Sequence, residues 1–151
     1  VIVEVAVNDK VVRDKFATMS ARVHAKMVAA QVRIGARLVA YIRGVKLSSG
    51  NPLNTRSGKL SDSIGSDTED SGSYVSTTVF SEGTAYGRIQ EYGGDVFPVN
   101  ARSLVFSIDG RTIFAQHVHI PARSYLRSAL AENKASINAA LKRAVREAVA
   151  E

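Results

Sequence analysis

Two imidazoles two residues apart, His117 and His119, have the spacing that chemistry at a single point would need. On an extended strand, residues i and i+2 point the same way, so the pair could begin a zinc site. The sequence holds no cysteine, and His24 lies far away in another segment. A third ligand would have to be an aspartate or glutamate that the sequence alone does not place. The glycine motifs also fall short. Gly58-Lys59 is followed by Leu60 rather than the Ser or Thr that completes a phosphate loop. No G-x-G-x-x-G opens a helix, and no Gly-x-Ser-x-Gly carries a nucleophile. Glu91 is a lone carboxylate without the acidic partner that would raise its pKa for acid–base work. Structural roles are the simpler expectation for Glu91 and for the histidines. The chain reads as a protein that is not an enzyme and takes no cofactor or metal.

The charged side chains are more informative. From Lys10 to Lys46 there are nine Lys or Arg against one acid, Asp14, which makes that segment +8. The whole chain is +6, so the remainder is −2, with Asp62, Asp67, Glu69 and Asp70 as its densest acidic stretch. At about 100° per residue, Arg22, Lys26, Arg33 and Arg37 fall within about 60° of one another on one helix face. Such a stripe can meet an acidic surface of a neighbouring subunit, meet DNA phosphates, or stay solvated. No aromatic platform accompanies it, which argues against single-strand binding.

The elements that must position these groups follow from periodicity. Residues 1 to 7 alternate as a strand. Residues 10 to 47 carry apolar residues from Val12 to Val45 at steps averaging about 3.67, the signature of one long, nearly straight helix. At about 1.5 Å per residue it would span about 55 Å, long enough to reach a second subunit. Gly35 marks a bend or a close crossing in it. A short helix over 55–64 puts Leu60 and Ile64 on one face. Residues 65–73 read as a polar loop, 74–81 as a strand, and 84–92 as a short helix stopped by Gly93-Gly94. Asp109-Gly110 predicts a type I′ hairpin pairing Phe106 with Ile113 and Val105 with Phe114. Pro121 ends the second strand. Ser124 caps a last helix with Leu126, Leu130, Ile137, Leu141, Val145 and Val149 on its apolar face.

At 151 residues the chain reads as one domain, 1–151, with a core large enough to need no staples. No apolar run approaches the roughly 18 residues of a membrane span, so no membrane partner is expected. No signal-peptide pattern heads the sequence, and the lack of cysteine fits assembly in a reducing cytoplasm. The predicted fold class is α+β: a small, mostly antiparallel sheet of 1–7, 74–81, 103–108 and 111–119, packed with a long N-terminal helix and a C-terminal helix.

Three blocks stand in order along the chain: Ser57-Gly58-Lys59-Leu60-Ser61-Asp62-Ser63-Ile64, Tyr86-Gly87-Arg88-Ile89-Gln90-Glu91-Tyr92-Gly93, and Ile120-Pro121-Ala122-Arg123-Ser124-Tyr125-Leu126-Arg127-Ser128-Ala129-Leu130. In order and spacing they resemble the "TGxLxxSI", "YAxxxExG" and "(P)xRPFLxxAL" blocks of the tail-completion or virion-morphogenesis family of tailed bacteriophages, the minor tail protein Z-like proteins. The resemblance covers roughly residues 50 to 145. Ser57 stands for the family's Thr, Gly87 for its Ala, and Ser124-Tyr125 for its Pro-Phe.

The resemblance implies a structural virion protein, assembled in the host cytoplasm and placed in the neck or tail. It would act as a homo-oligomeric ring, with a hexamer the first expectation from the six-fold symmetry of tail tubes. Its partners would be other copies of itself, the phage connector or adaptor, and tail tube or tail terminator proteins, with DNA only passing through the channel. A tail terminator ring of the same region is an alternative, as is a basic nucleic-acid-binding domain resting on the charged segment alone. A regulatory module with a small-molecule site finds no residues to support it. Arg22, Lys26, Arg33, Arg37, Arg123 and Tyr125 are the expected contact residues. Tyr125 is the one expected at a subunit boundary, its ring packed and its hydroxyl wet.

Overall fold

The computed structural model describes residues 2–3, 21–48, 58–84 and 86–150. Strand β1 (Ile2–Val3) is what is described of the predicted N-terminal strand. The described part of the long helix is α1 (Ala21–Tyr41), which widens into a π turn at Ile42–Lys46. The predicted starts of that helix, at residue 10, and of the short helix over 55–64 lie outside the described residues. Helix α2 is one turn, Lys59–Asp62, entered through Gly58 at φ 71°. Then come β2 (Ile64–Asp70), β3 (Val75–Ser81), helix α3 (Gly87–Tyr92) and β4 (Gly94–Val96). Strands β5 (Leu104–Ile108), β6 (Arg111–Ala115) and β7 (Val118–Ile120) precede the terminal helix α4 (Leu126–Ala150). The class is α+β, as predicted, with two long helices and small antiparallel sheets.

The sheets are divided differently from the prediction. The main sheet runs β1-β3-β2, and β5–β6 and β4–β7 are separate two-stranded ladders. The polar stretch 65–73 is not a loop: its first six residues complete β2, which pairs with β3 along its whole length, from Ile64↔Ser81 to Asp70↔Val75. Only the turn remains, with Ser71 N–H donating to the Tyr74 carbonyl at 3.1 Å and Gly72 at φ 80°. The physical reason is that β2 turns hydroxyls rather than alkyl groups inward. Thr68 and Thr77 share a hydrogen bond of 2.9 Å, so the strand's polarity is satisfied within the sheet. Ile64 opens this strand, 1% exposed, instead of closing the preceding helix.

Gly35 is a close crossing. A Cβ there would sit 2.8 Å from Thr77 Cγ2 and 3.0 Å from Ser66 Oγ, so α1 lies directly on the inner face of the sheet. The core follows this contact. Ile34, Leu38 and Ile42 of α1 and its π turn meet Ile64, Val79, Tyr125, Leu126 and Ile137. A second cluster joins Val23, Met27 and Ala30 to Val75, Ala144 and Ala148. The face of α4 therefore differs from the expected row of large residues. Ala129, Ala144 and Ala148 are buried in it, whereas Val149 is 75% exposed. Small residues let α1 and α4 approach closely, with Ala30 and Ala144 in one cluster.

The hairpin is as predicted: Asp109 (φ 50°) and Gly110 (φ 77°) form its turn, and Val105↔Phe114 and Phe106↔Ile113 are paired. Its second strand does not continue to the histidines. It breaks after Ala115, and β7 pairs with β4 instead.

Candidate functional site: a buried carboxylate and two charged faces

The three blocks meet in space. Glu91, on the one-and-a-half-turn helix α3, is fully buried at 0% exposure. Its Oε2 accepts the N–H groups of Tyr125 (2.7 Å) and Leu126 (2.9 Å). Its Oε1 accepts the Ser124 hydroxyl (2.7 Å), the Arg127 N–H (3.1 Å) and Arg127 Nε (3.0 Å). The first amides of a helix lack intrahelical partners and carry partial positive charge. One carboxylate satisfies three of them for α4, where the sequence placed Ser124 as the cap. Ser124 still contributes, its Oγ accepting Ser128 N–H at 3.2 Å. Burial alone would raise the Glu91 pKa. The bonds from Leu126, Ser124, Arg127 and Tyr125 outweigh it and hold the carboxyl below its ordinary value. Arg127 also donates to the Glu91 carbonyl (3.0 Å) and lies over the Tyr92 ring at 4.4 Å.

Tyr125 corrects an expectation. It is 1% exposed, and its hydroxyl donates to the Gly87 carbonyl at 3.3 Å. Burial raises its pKa. The ring has no surface to offer a neighbour and belongs to the protomer's core. The first block joins the same unit through Ser63 and Ser81, whose hydroxyls are 2.8 Å apart, and Ser81 lies 3.3 Å from the Thr84 hydroxyl. Gly93, at φ 71°, holds the junction: a Cβ would stand 2.7 Å from Ala122 N and 3.0 Å from the Ile120 carbonyl oxygen.

The basic stripe lies on the far side of α1, with Arg22, Arg33 and Arg37 exposed and Lys26 half-buried. Arg33 and Arg37 are each about 160° around the helix from Gly35, the residue that touches the sheet. They border a groove of about 320 Å³ between α1 and α4, floored by Ala30, Ile34, Ala140 and Ala144 and edged by Arg143 and Glu147. Arg37 Nη2 lies 3.4 Å from the Ser136 hydroxyl. Neither Arg33 nor Arg143 has an ion-pair partner among the described residues. Arg22 and Lys26 continue the stripe toward the start of α1. Arg123 does not join it: it precedes α4, roughly 25 Å along that helix from Arg143. Arg143 carries no signal of its own in the sequence, because the apolar period of its helix marks only the residues that face the core.

The opposite charge lies on the other side of the sheet. Ser66 faces Gly35 and Thr68 faces Thr77, so the alternating residues Asp67 and Glu69 point outward, both exposed. Asp70 turns inward to His24, 2.8 Å away. The Gly72 amide, followed by His24, lowers its pKa.

His117 and His119 do converge, on Asp95 of β4. His117 Nε2 and His119 Nδ1 lie 2.7 and 2.8 Å from the same Oδ1, and these two bonds lower the Asp95 pKa. Both rings spend a nitrogen on that oxygen. No group of three His, Asp or Glu side chains among the described residues is placed to hold a metal.

No protein-family model, no curated protein and no solved structure matches the chain. Among the described residues, no helix is long and apolar enough to cross a membrane.

Proposed function

We propose that this protein is a structural virion protein of a tailed phage, a subunit of a ring in the neck or tail-completion region. The ring joins the tail to the head connector and leaves an axial channel for DNA. The observation that carries this reading is the interlocking of the three blocks that resemble the family. Segments far apart in sequence close on one another through Ile64 with Tyr125 and Leu126 in one core cluster, Tyr125 with Gly87, and Glu91 with the start of α4. Shared short motifs that build one structural unit support a common fold better than scattered matches would. The role is assembly rather than catalysis: the buried carboxylate serves as a helix cap, and the charged groups lie on exposed surfaces. Negative-stain images of the purified protein test it. Rings or short tubes are expected, with a hexamer first in line; particles that remain single protomers at high concentration would sink the proposal.

One observation favours a second reading. Three arginines on one groove, Arg33, Arg37 and Arg143, could meet DNA phosphates. A gel shift across a salt series separates the two. Weak, sequence-independent binding that vanishes by physiological salt fits a ring through which DNA passes. Tight, sequence-selective binding at that salt would favour the nucleic-acid reading.

A further inference from the structure

The two charged surfaces stand back to back. Gly35 touches the sheet through Ser66 and Thr77, so the side of α1 that carries Arg33 and Arg37 faces away from the sheet. Asp67 and Glu69 leave the sheet from its opposite face, on β2, an edge strand of the order β1-β3-β2 among the described residues. They share that face with Ser76 and Thr78, the residues paired with them across the ladder, and with Phe80 beyond Thr78, whose ring lies over Gly65. One protomer thus presents cations behind and carboxylates in front.

We infer that the Arg33–Arg37–Arg143 groove of one copy receives the Asp67 and Glu69 carboxylates of the next copy, in a head-to-tail contact between identical subunits. This deepens the ring reading and rests on it. The chemistry matches. Three guanidinium groups, Arg33, Arg37 and Arg143, outnumber the one carboxylate that also edges the groove, Glu147, and guanidinium groups bind carboxylates through paired N–H donors. The floor is made mainly of Ala30, Ala140 and Ala144, which leaves room for a strand edge to approach. Asp67 and Glu69 are two residues apart on a strand, about 7 Å. Arg33 and Arg37 are four apart on a helix, about 6 Å along its axis. The two spacings are compatible. A contact between different surfaces of identical chains is heterologous, and it closes into a ring when the rotation permits.

Charge exchange tests the contact. One variant carries Arg33→Glu and Arg37→Glu, a second carries Asp67→Lys and Glu69→Lys, and a third carries all four changes. Association is read by sedimentation velocity at low salt, with circular dichroism melts to confirm folding. Each two-site variant should associate about tenfold more weakly or worse than the wild type. The four-site variant should recover, and mixing the two weak variants should restore large particles, because each supplies the charge the other needs. If the wild type assembles while the four-site variant and the mixture stay dissociated, this contact is overturned and the ring reading survives with another interface. Wild type that assembles with no loss in either two-site variant has the same meaning. A wild type that never associates overturns both.

Discussion

At the scale of single residues, Glu91 decides most. It satisfies three helix amides, a hydroxyl and a guanidinium from a site without water access. Glu91→Ala should destabilise the protomer by about 3 kcal/mol, since a buried set of donors loses its acceptor together, and chemical denaturation measures the loss. The pH dependence has a definite sign. The Glu91 pKa is lower in the folded chain than in the unfolded one. Its contribution is therefore full above the unfolded value and is lost as pH falls through the folded value. Melting temperature should drop on acidification below about pH 4.5, and Glu91→Gln should flatten part of that drop. A profile for Glu91→Gln parallel to the wild type would show that the carboxylate's ionisation does not matter to the fold. None of this was legible from position 91 in the sequence, where the residue stood alone. Its partners come from 33 to 36 residues further on. Tyr125 was misread for a related reason. An aromatic residue beside a helix start gives the same signal whether its hydroxyl finds water or, as here, the Gly87 carbonyl. Tyr125→Phe should cost about 1 kcal/mol, the net value of one hydrogen bond, and Tyr125→Ala about 3–5 kcal/mol as a core truncation. Both are read from melts of the protomer.

Among the elements, local turn chemistry was the most legible. Asp109-Gly110 fixed both the hairpin's register and its face. Regular apolar spacing likewise found α1 and α4, because period alone identifies a helix that buries one side. Strand β2 escaped because its inward residues are Ser66, Thr68 and Asp70, and sequence patterning recognises a buried face by its alkyl groups. Gly35 explains why Ser66 is small: the helix backbone is too close for more. Gly35→Ala removes a helix-propensity penalty of about 1 kcal/mol but pushes a methyl to 2.8 Å from Thr77 Cγ2. The clash wins, and a net loss of about 1–2 kcal/mol is expected from overpacking. Gly93→Ala should be worse, because both its positive φ and two backbone atoms oppose the side chain. A Gly93→Ala protein as stable as the wild type would mean that the Ala122 backbone can move aside freely. Leu126→Ala, at a 3% exposed position, should cost about 2–5 kcal/mol. Leu130→Ala, at a half-buried one, should cost less.

For the whole molecule, the charge totals foretold polarity but not its direction. The sequence put +8 in one segment and the acids in another; only the fold sets the two groups on opposite sides of a sheet-and-helix layer. Assembly driven by such surfaces should weaken as salt rises, because ions screen exposed charges beyond roughly 8 Å at physiological strength. Light scattering across a salt series should show particles shrinking with added salt while the helical signal stays constant. Growth with salt would instead point to apolar contacts, for which the exposed Val105 and Phe114 of the hairpin, 61% and 69% accessible, are the available surface.

The acidic edge of the main sheet has one more consequence. An edge strand offers unpaired amides and carbonyls on which another chain's strand can add, and charged side chains discourage that route. With Asp67 and Glu69 side by side on β2, a second β2 edge arriving in antiparallel fashion brings carboxylates against carboxylates. Such a pairing is disfavoured by like-charge repulsion. If a neighbour's arginines receive these carboxylates as inferred above, the same two side chains would oppose edge-to-edge pairing and favour the head-to-tail contact.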